Sequence, residues 1–321
     1  MEKLLVTRTD TLIGANAVAA PPAGMELVAV VEPAGSSTLV GDEGQYSREA
    51  ALCDAIRREP PHMVLHAGPT SWSGWDSSGT DGARIDARCD VRREIKLLNE
   101  LARACDEAGS RLVVATTDAL FAGPRMFHPE QGQSWATAPV ARAAKQIEQA
   151  LLATGALVLR GHVYGWMPAG GATNYAERMF HALTAELPYR VDARRHASPI
   201  LATDFVRLAQ TAARDGLQGL YNLSGAERTS PYRFAAELAA MLGVPGCNVR
   251  LESNASQCGP YRDETSLAVG LLRDRLKQPL PLLREGLGRF VEQAFNGYRG
   301  RLDAIRRKLV ELTPIEAMQA A

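Results

Sequence analysis

Leu112-Val113-Val114-Ala115-Thr116-Thr117-Asp118 is an apolar run that ends in two hydroxyls and an acid. It reads as a short buried strand whose carboxyl end opens onto a polar loop. Phe121-Ala122-Gly123-Pro124 follows, and Pro139-Val140-Ala141-Arg142-Ala143-Ala144-Lys145 then opens a helical stretch that Ile147, Leu151 and Leu152 continue. Strand, polar loop and helix in that order are one half of a βαβ unit, and the rest of the N-terminal half repeats it.

Working outward, strands are expected at residues 3–7, 27–31, 63–67, 111–116 and 157–161, each rich in Val and Leu. Helical patterns lie between them near residues 12–20, 48–58, 84–108 and 139–153. Short apolar strands separated by helices imply right-handed crossovers and a parallel sheet covered on both faces, an α/β architecture. The second half is less regular, with helices expected at 176–187, 203–214, 231–242 and 280–294 and a strand at 219–223. Thr229-Ser230-Pro231 opens the third of these helices with a cap residue and a first-turn proline.

The 321 residues carry 36 basic and 36 acidic side chains, a balance that gives no reason to expect nucleic acid or an anionic membrane as partner. No apolar run reaches about 18 residues, so no membrane-spanning helix is expected. The opening Met1-Glu2-Lys3-Leu4-Leu5-Val6-Thr7 is too short an apolar run for a signal peptide. Cys53, Cys89, Cys105, Cys247 and Cys258 are scattered without a Cys-x-x-Cys pair, which predicts no metal site and fits a reducing cytoplasm.

Two irregular stretches stand out. Residues 68–82 form a polar loop after the third strand and carry Trp72 and Trp75, which either line a ligand crevice or pack against the loop itself. Beyond Asn296, Leu302, Ile305, Leu309 and Leu312 recur at helical spacing, and Thr313-Pro314-Ile315-Glu316 is placed as a capping box. This extension is expected to dock, on a partner, on a second copy or back on its own domain.

The order of these motifs resembles the extended short-chain dehydrogenase/reductases, most closely the dTDP-4-dehydrorhamnose reductase branch. Members read Ser-Thr-Asp-Tyr-Val-Phe-x-Gly after the fourth strand and then Tyr-x-x-x-Lys. Further along, residues 158–165 resemble Arg-x-x-x-Val-Tyr-Gly, with Asn174 following. His196-Ala197-Ser198-Pro199 with Asp204 resembles Gly-x-Pro-Thr-x-x-x-Asp, residues 219–225 resemble Gly-x-Tyr-His-x-x-Gly, and residues 260–267 resemble Arg-Pro-x-x-Ser-x-Leu. The resemblance covers residues 1–295 and implies a Rossmann-type doubly wound parallel sheet with a smaller C-terminal substrate lobe and a helical extension. The implied division is 1–165 plus about 188–222 for the dinucleotide-binding domain, about 166–187 and 223–295 for the lobe, and 296–321 for the extension.

Carried over residue by residue, Thr116 or Thr117 takes the hydroxyl that polarises a substrate carbonyl, Lys145 the lysine, and Ala141 the position of the proton-donating tyrosine. Asp118, Tyr164 and Asn174 fall in the substrate cleft. The family's Thr-Gly-x-x-Gly-x-x-Gly turn is here Thr7-Arg8-Thr9-Asp10-Thr11-Leu12-Ile13-Gly14, which keeps only Gly14. Arg8 and Thr11 put side chains where backbone should approach a pyrophosphate, and Asp10 adds negative charge. Glu32 closes the second strand roughly 20 residues on, where an acid selects NAD over NADP.

The resemblance thus implies NAD or NADP as cofactor, and the lost glycines predict weak or absent binding. Two functions are expected from this. The first is a catalytically degenerate, binding, regulatory or scaffolding subunit, as the methionine adenosyltransferase regulatory subunit of the same branch is. The alternative is an NAD(P)-dependent reductase or epimerase of a nucleotide sugar that uses Tyr164, His128 or His162 as acid. A ligand sensor holding a nucleotide sugar through Lys145, Tyr164 and Asn174 is a third reading.

Overall fold

Alternation along each strand sorts its side chains onto two faces. In β1 (Glu2–Val6), Leu4 and Val6 enter one core and Leu5 the other. β3 (Met63–Ala67) divides Met63, Leu65 and Ala67 from Val64, and β4 (Arg111–Thr117) divides Val113 and Ala115 from Leu112 and Val114. The first core is closed by α1 (Leu12–Ala19) and α6 (Ala202–Arg214), through Ile13, Phe205, Leu208 and Ala212. The second face is closed by α2 (residues 52–58), α3 (Val91–Ala108) and α4 (Pro139–Leu151), through Ile56, Leu98, Leu101 and Ile147. Each strand is therefore buried on both sides, which is why the runs read as continuously apolar.

In this computed structural model, which describes residues 2–30, 52–76, 90–133, 135–168, 173–251 and 264–311, every strand pair is parallel. The sheet runs β2 (Met25–Val30), β1, β3, β4, β5 (Leu157–Tyr164). The outer edge of β5 is shared by β8 (Gly219–Asn222), along residues 157–160, and β7 (Pro199–Leu201), along residues 162–164. Crossovers leave β1 in opposite directions toward β2 and β3, so a crevice lies above their carboxyl ends, the usual ligand position in such sheets. This is the Rossmann-type fold expected from the sequence.

The lobe is built on β6 (Tyr189–Val191) paired with β9 (Val249–Leu251), and on α5 (Tyr175–Thr184), α7 (Pro231–Leu242) and α9 (Leu283–Phe295). Its core is aromatic, with Trp166, Tyr175, Phe180, Phe234 and Phe290. Residues 189–191 belong to the small sheet, so the chain rejoins the main sheet only at Pro199. α8 (Gly270–Leu276) sends Leu272 and Leu276 into the main-sheet core although it sits within the lobe's sequence. Three-residue strands carry too little periodicity to mark such crossings.

The extension opens with α10 (Tyr298–Glu311), whose described start docks on its own chain against α1. Tyr298 and Leu302 are buried, and the Tyr298 hydroxyl donates to Asn16 Oδ1 at 2.7 Å. Asn16, inside α1, gives its amide to the carbonyls of Leu12 (2.7 Å) and Trp166 (2.8 Å), and the Arg299 guanidinium lies 4.7 Å from the Trp166 ring. Glu32, Cys89, Cys258, residues 260–263 and the capping box at 313–316 lie outside the described residues. Among the described residues no helix is long and apolar enough to cross a membrane, and no cluster has the make-up of a metal site.

Truncating Leu302 to Ala should destabilise the protein by about 2–5 kcal/mol, and Tyr298→Phe, which strands the Asn16 oxygen, by about 1–3 kcal/mol. Urea unfolding curves at the wild-type midpoint for both variants would show the extension to be undocked.

Candidate functional site

The loop after β1 is tied to itself. Thr11 caps α1: its hydroxyl donates to the Arg8 carbonyl at 2.9 Å and accepts from the Gly14 amide at 3.3 Å. A Cβ on Gly14 would stand 1.6 Å from the Arg8 carbonyl oxygen, so only glycine admits this approach. Arg8 Nε and Nη2 donate to the Asp10 carboxylate at 3.0 and 3.1 Å. The groups expected to obstruct a pyrophosphate are thus engaged with one another.

Beside them is a buried relay that sequence reasoning missed. The Thr7 hydroxyl lies 2.8 Å from His66 Nδ1, and His66 Nε2 lies 2.7 Å from Glu94 Oε1. Burial opposes ionisation of Glu94, yet the charge and hydrogen bond of His66, with Arg8 behind them, hold its carboxyl below the usual range. The available signal was parity: His66 shares a face with Val64, opposite the first turn of α3, where Glu94 stands.

Thr116 and Thr117, adjacent on β4, face opposite ways. Thr116 donates to Glu148 of α4 at 2.7 Å. Glu148 also holds Arg160 of β5 through Nε at 2.9 Å and Nη2 at 2.7 Å, while Arg160 Nη1 reaches the Glu130 carbonyl at 2.9 Å. Both partners of this ion pair are almost wholly buried. Thr117 instead donates to the Trp72 carbonyl and accepts from the Ala119 amide at 3.0 Å.

With α4 held this way, the residue packed against Trp72 and Ala119, beside Thr117, is Val140. Ala144, one turn on, packs with Leu120, Phe121 and Leu267. The α4 residues packed against the end of β4 are thus Val140 and Ala144, each one position before Ala141 and Lys145 on a helix that turns about 100° per residue. Ala141 is buried, and the Lys145 ammonium lies 4.3 Å from the centre of the Trp135 ring.

Asp118, Tyr164 and Asn174, expected in the substrate cleft, are buried and take their partners from within the chain. Asp118 is fully buried: Oδ2 accepts from His162 Nδ1 at 2.7 Å and from the Thr265 hydroxyl, and Oδ1 accepts from the Gly74 amide at 2.8 Å. Tyr164 packs against Phe234 and Phe290, and burial pushes its phenol well above the usual range. Asn174 caps α5 in a capping box with Glu177 and donates to the Gly165 carbonyl at 2.7 Å. An aromatic or an amide at a motif position looks the same in sequence whether it meets ligand or core.

The tryptophans and imidazoles are similarly placed. Trp75 packs edge-on to His162 at 4.5 Å and to Tyr175 at 4.9 Å, so its ring enters the aromatic core of the lobe, away from its own loop. Half-buried Trp72 has its carbonyl on Thr117 and packs against Ala119 and Val140. His128 stacks on Phe121 at 4.4 Å, with Nε2 2.9 Å from the Glu264 carbonyl.

Two measurements follow from this geometry. Glu148→Gln leaves Arg160 buried and uncompensated and should cost about 3–5 kcal/mol, whereas an apolar replacement of both partners should cost less; equal losses would contradict the pairing. Burial raises the Glu177 carboxyl from 4.5 to about 7. A raised folded-state value adds stability that is complete below pH 4.5 and lost as pH climbs through about 7. Glu177→Gln should flatten that part of the stability profile, and an unchanged slope would contradict it.

The comparisons with known proteins bear on this geometry. The dTDP-4-dehydrorhamnose reductase of Bacillus anthracis, in complex with NADP, superposes with a TM-score of 0.71 at 18% identity, covering 91% of this chain and 99% of that one. The enzyme of the same name from Yersinia enterocolitica gives 0.67 at 16%, covering 91% and 99%. The dTDP-glucose 4,6-dehydratase of Bacillus anthracis, in complex with NAD, gives 0.67 at 12%, covering 94% and 100%. Such identities carry the fold. No curated protein sequence matches the chain. The family model of the RmlD substrate binding domain matches residues 3–294, nearly the whole chain, and on that ground the protein belongs to this family of the extended short-chain dehydrogenase/reductases.

Proposed function

We propose that this protein is a catalytically silent member of its family that works by binding, as a regulatory or scaffolding subunit. The observation that carries the reading is the environment of Thr117. Its hydroxyl is committed to the Trp72 carbonyl, and the α4 side chain packed beside them is Val140, which has no proton to give. A positioned general acid contributes about 10²–10⁴-fold, so a reductase without one is slow even when its substrates bind.

The cofactor end supports the same reading. A dinucleotide is held by helix amides and the positive end of the helix dipole. Here the Gly14 amide is capped by Thr11, and the Arg8 guanidinium is paired with Asp10, so these residues do not fit a pyrophosphate. The family match and the NADP and NAD complexes of similar structures favour a second reading, a nucleotide-sugar reductase or epimerase. That reading requires Trp72 to leave Thr117 and an acid from outside α4.

Fluorescence titration with NADPH and NADH, followed by an assay on dTDP-4-dehydrorhamnose, separates the two. Millimolar cofactor should give no saturable signal and no turnover, while Arg8→Gly with Thr11→Gly should improve cofactor binding. Saturable binding to the unaltered chain with turnover would overturn the proposal.

A further inference from the structure

Lys145, whose ammonium lies over the Trp135 ring, faces a cavity. The cavity, of about 300 Å³, lies between α4, the loop before it and the β5–β8 edge. Trp135, Gln133, Gln149, Leu220 and the buried Glu148–Arg160 pair also form its walls. The volume is roughly that of ten waters and sits at the lower end of the range for small-molecule pockets.

The wall is rigid and its charges are unevenly spent. Phe121 stacks on Trp135 at 5.3 Å and His128 on Phe121 at 4.4 Å, which fixes the indole. Glu148 is saturated by Arg160 and Thr116, and Glu130 Oε1 accepts from the Asn222 amide at 3.1 Å. The Glu148 charge is thus offset by Arg160, and Glu130 is held by a neutral amide at the loop before α4. The Lys145 ammonium has the Trp135 ring as its partner among the described residues. A cation–π contact on a partly exposed ring is weaker than a charge-assisted hydrogen bond, so an anion entering the cavity would draw the ammonium to itself.

We propose that this cavity binds a small ring-bearing anion, with its carboxylate or phosphate on Lys145 and its ring against Trp135. The site shares no residue with the Thr117–Trp72 closure, so it stands whether or not the protein turns over a nucleotide sugar. The glutamines at its mouth are exposed and supply neutral donors and acceptors at the rim.

The test follows the Trp135 indole N–H in ¹⁵N-labelled full-length protein, its signal identified by its loss in Trp135→Leu. Benzoate and phenyl phosphate serve as probes, with benzyl alcohol as the neutral control. At least one anion should shift that signal saturably with a dissociation constant near the millimolar range. Lys145→Gln, at a partly exposed position, should weaken binding about tenfold or more while leaving the remaining spectrum unchanged, and benzyl alcohol should bind no better than the variant binds the anions. The preferred probe tells carboxylate from phosphate. No saturable shift with either anion, equal binding by Lys145→Gln, or equal binding of benzyl alcohol would overturn the proposal.

Discussion

A carboxylate and a guanidinium closed off from water set the geometry of the rest. Glu148 and Arg160 bind each other through both carboxylate oxygens, with Thr116 and the Glu130 carbonyl taking the remaining capacity. Separating such a pair leaves a buried charge, so the arrangement tolerates little slack. Because Glu148 stands on α4 and Arg160 on β5, the pair fixes the rotation of α4 against the sheet. That rotation decides which side chains meet the end of β4: Val140 and Ala144 do, and Lys145 is carried round to Trp135.

The carboxyl ends of the central strands then show one theme. Polar groups that a dinucleotide fold would offer to ligands are matched here with groups of the same chain. Thr7 meets His66 and Glu94, Thr11 meets the Arg8 carbonyl and the Gly14 amide, Thr117 meets Trp72, and Asp118 meets His162, Thr265 and Gly74. Each match removes the cost of an unsatisfied buried group. A ligand entering there has to break contacts before it makes any. The fold of the family is kept while these hydroxyls and carboxylates are paired within the chain.

Much of the scaffold was legible because a doubly covered parallel sheet writes itself as apolar runs between amphipathic helices. The run at residues 112–118 and its helix at 139–151 were readable on sight. Strands β6, β7 and β9 have three residues each, too few for a pattern, so their sheet membership was not legible. At the site, the damaged glycine turn was visible because each lost glycine has its own physical purpose. The partner that turns α4, Glu148, lies 12 residues from Arg160 on another element, and no local spacing announces that contact. Trp72 was noticed as a loop aromatic, but its role depends on a backbone carbonyl, which sequence does not distinguish.

The central claim is that the chain's own groups close both the cofactor turn and the end of β4. A crystal structure of the protein soaked in NADPH tests it most directly. The account predicts that Thr117 stays on the Trp72 carbonyl, Thr11 stays on the Gly14 amide, and no dinucleotide density lies over α1. A pyrophosphate seated above Gly14 with Trp72 swung clear of Thr117 would contradict it.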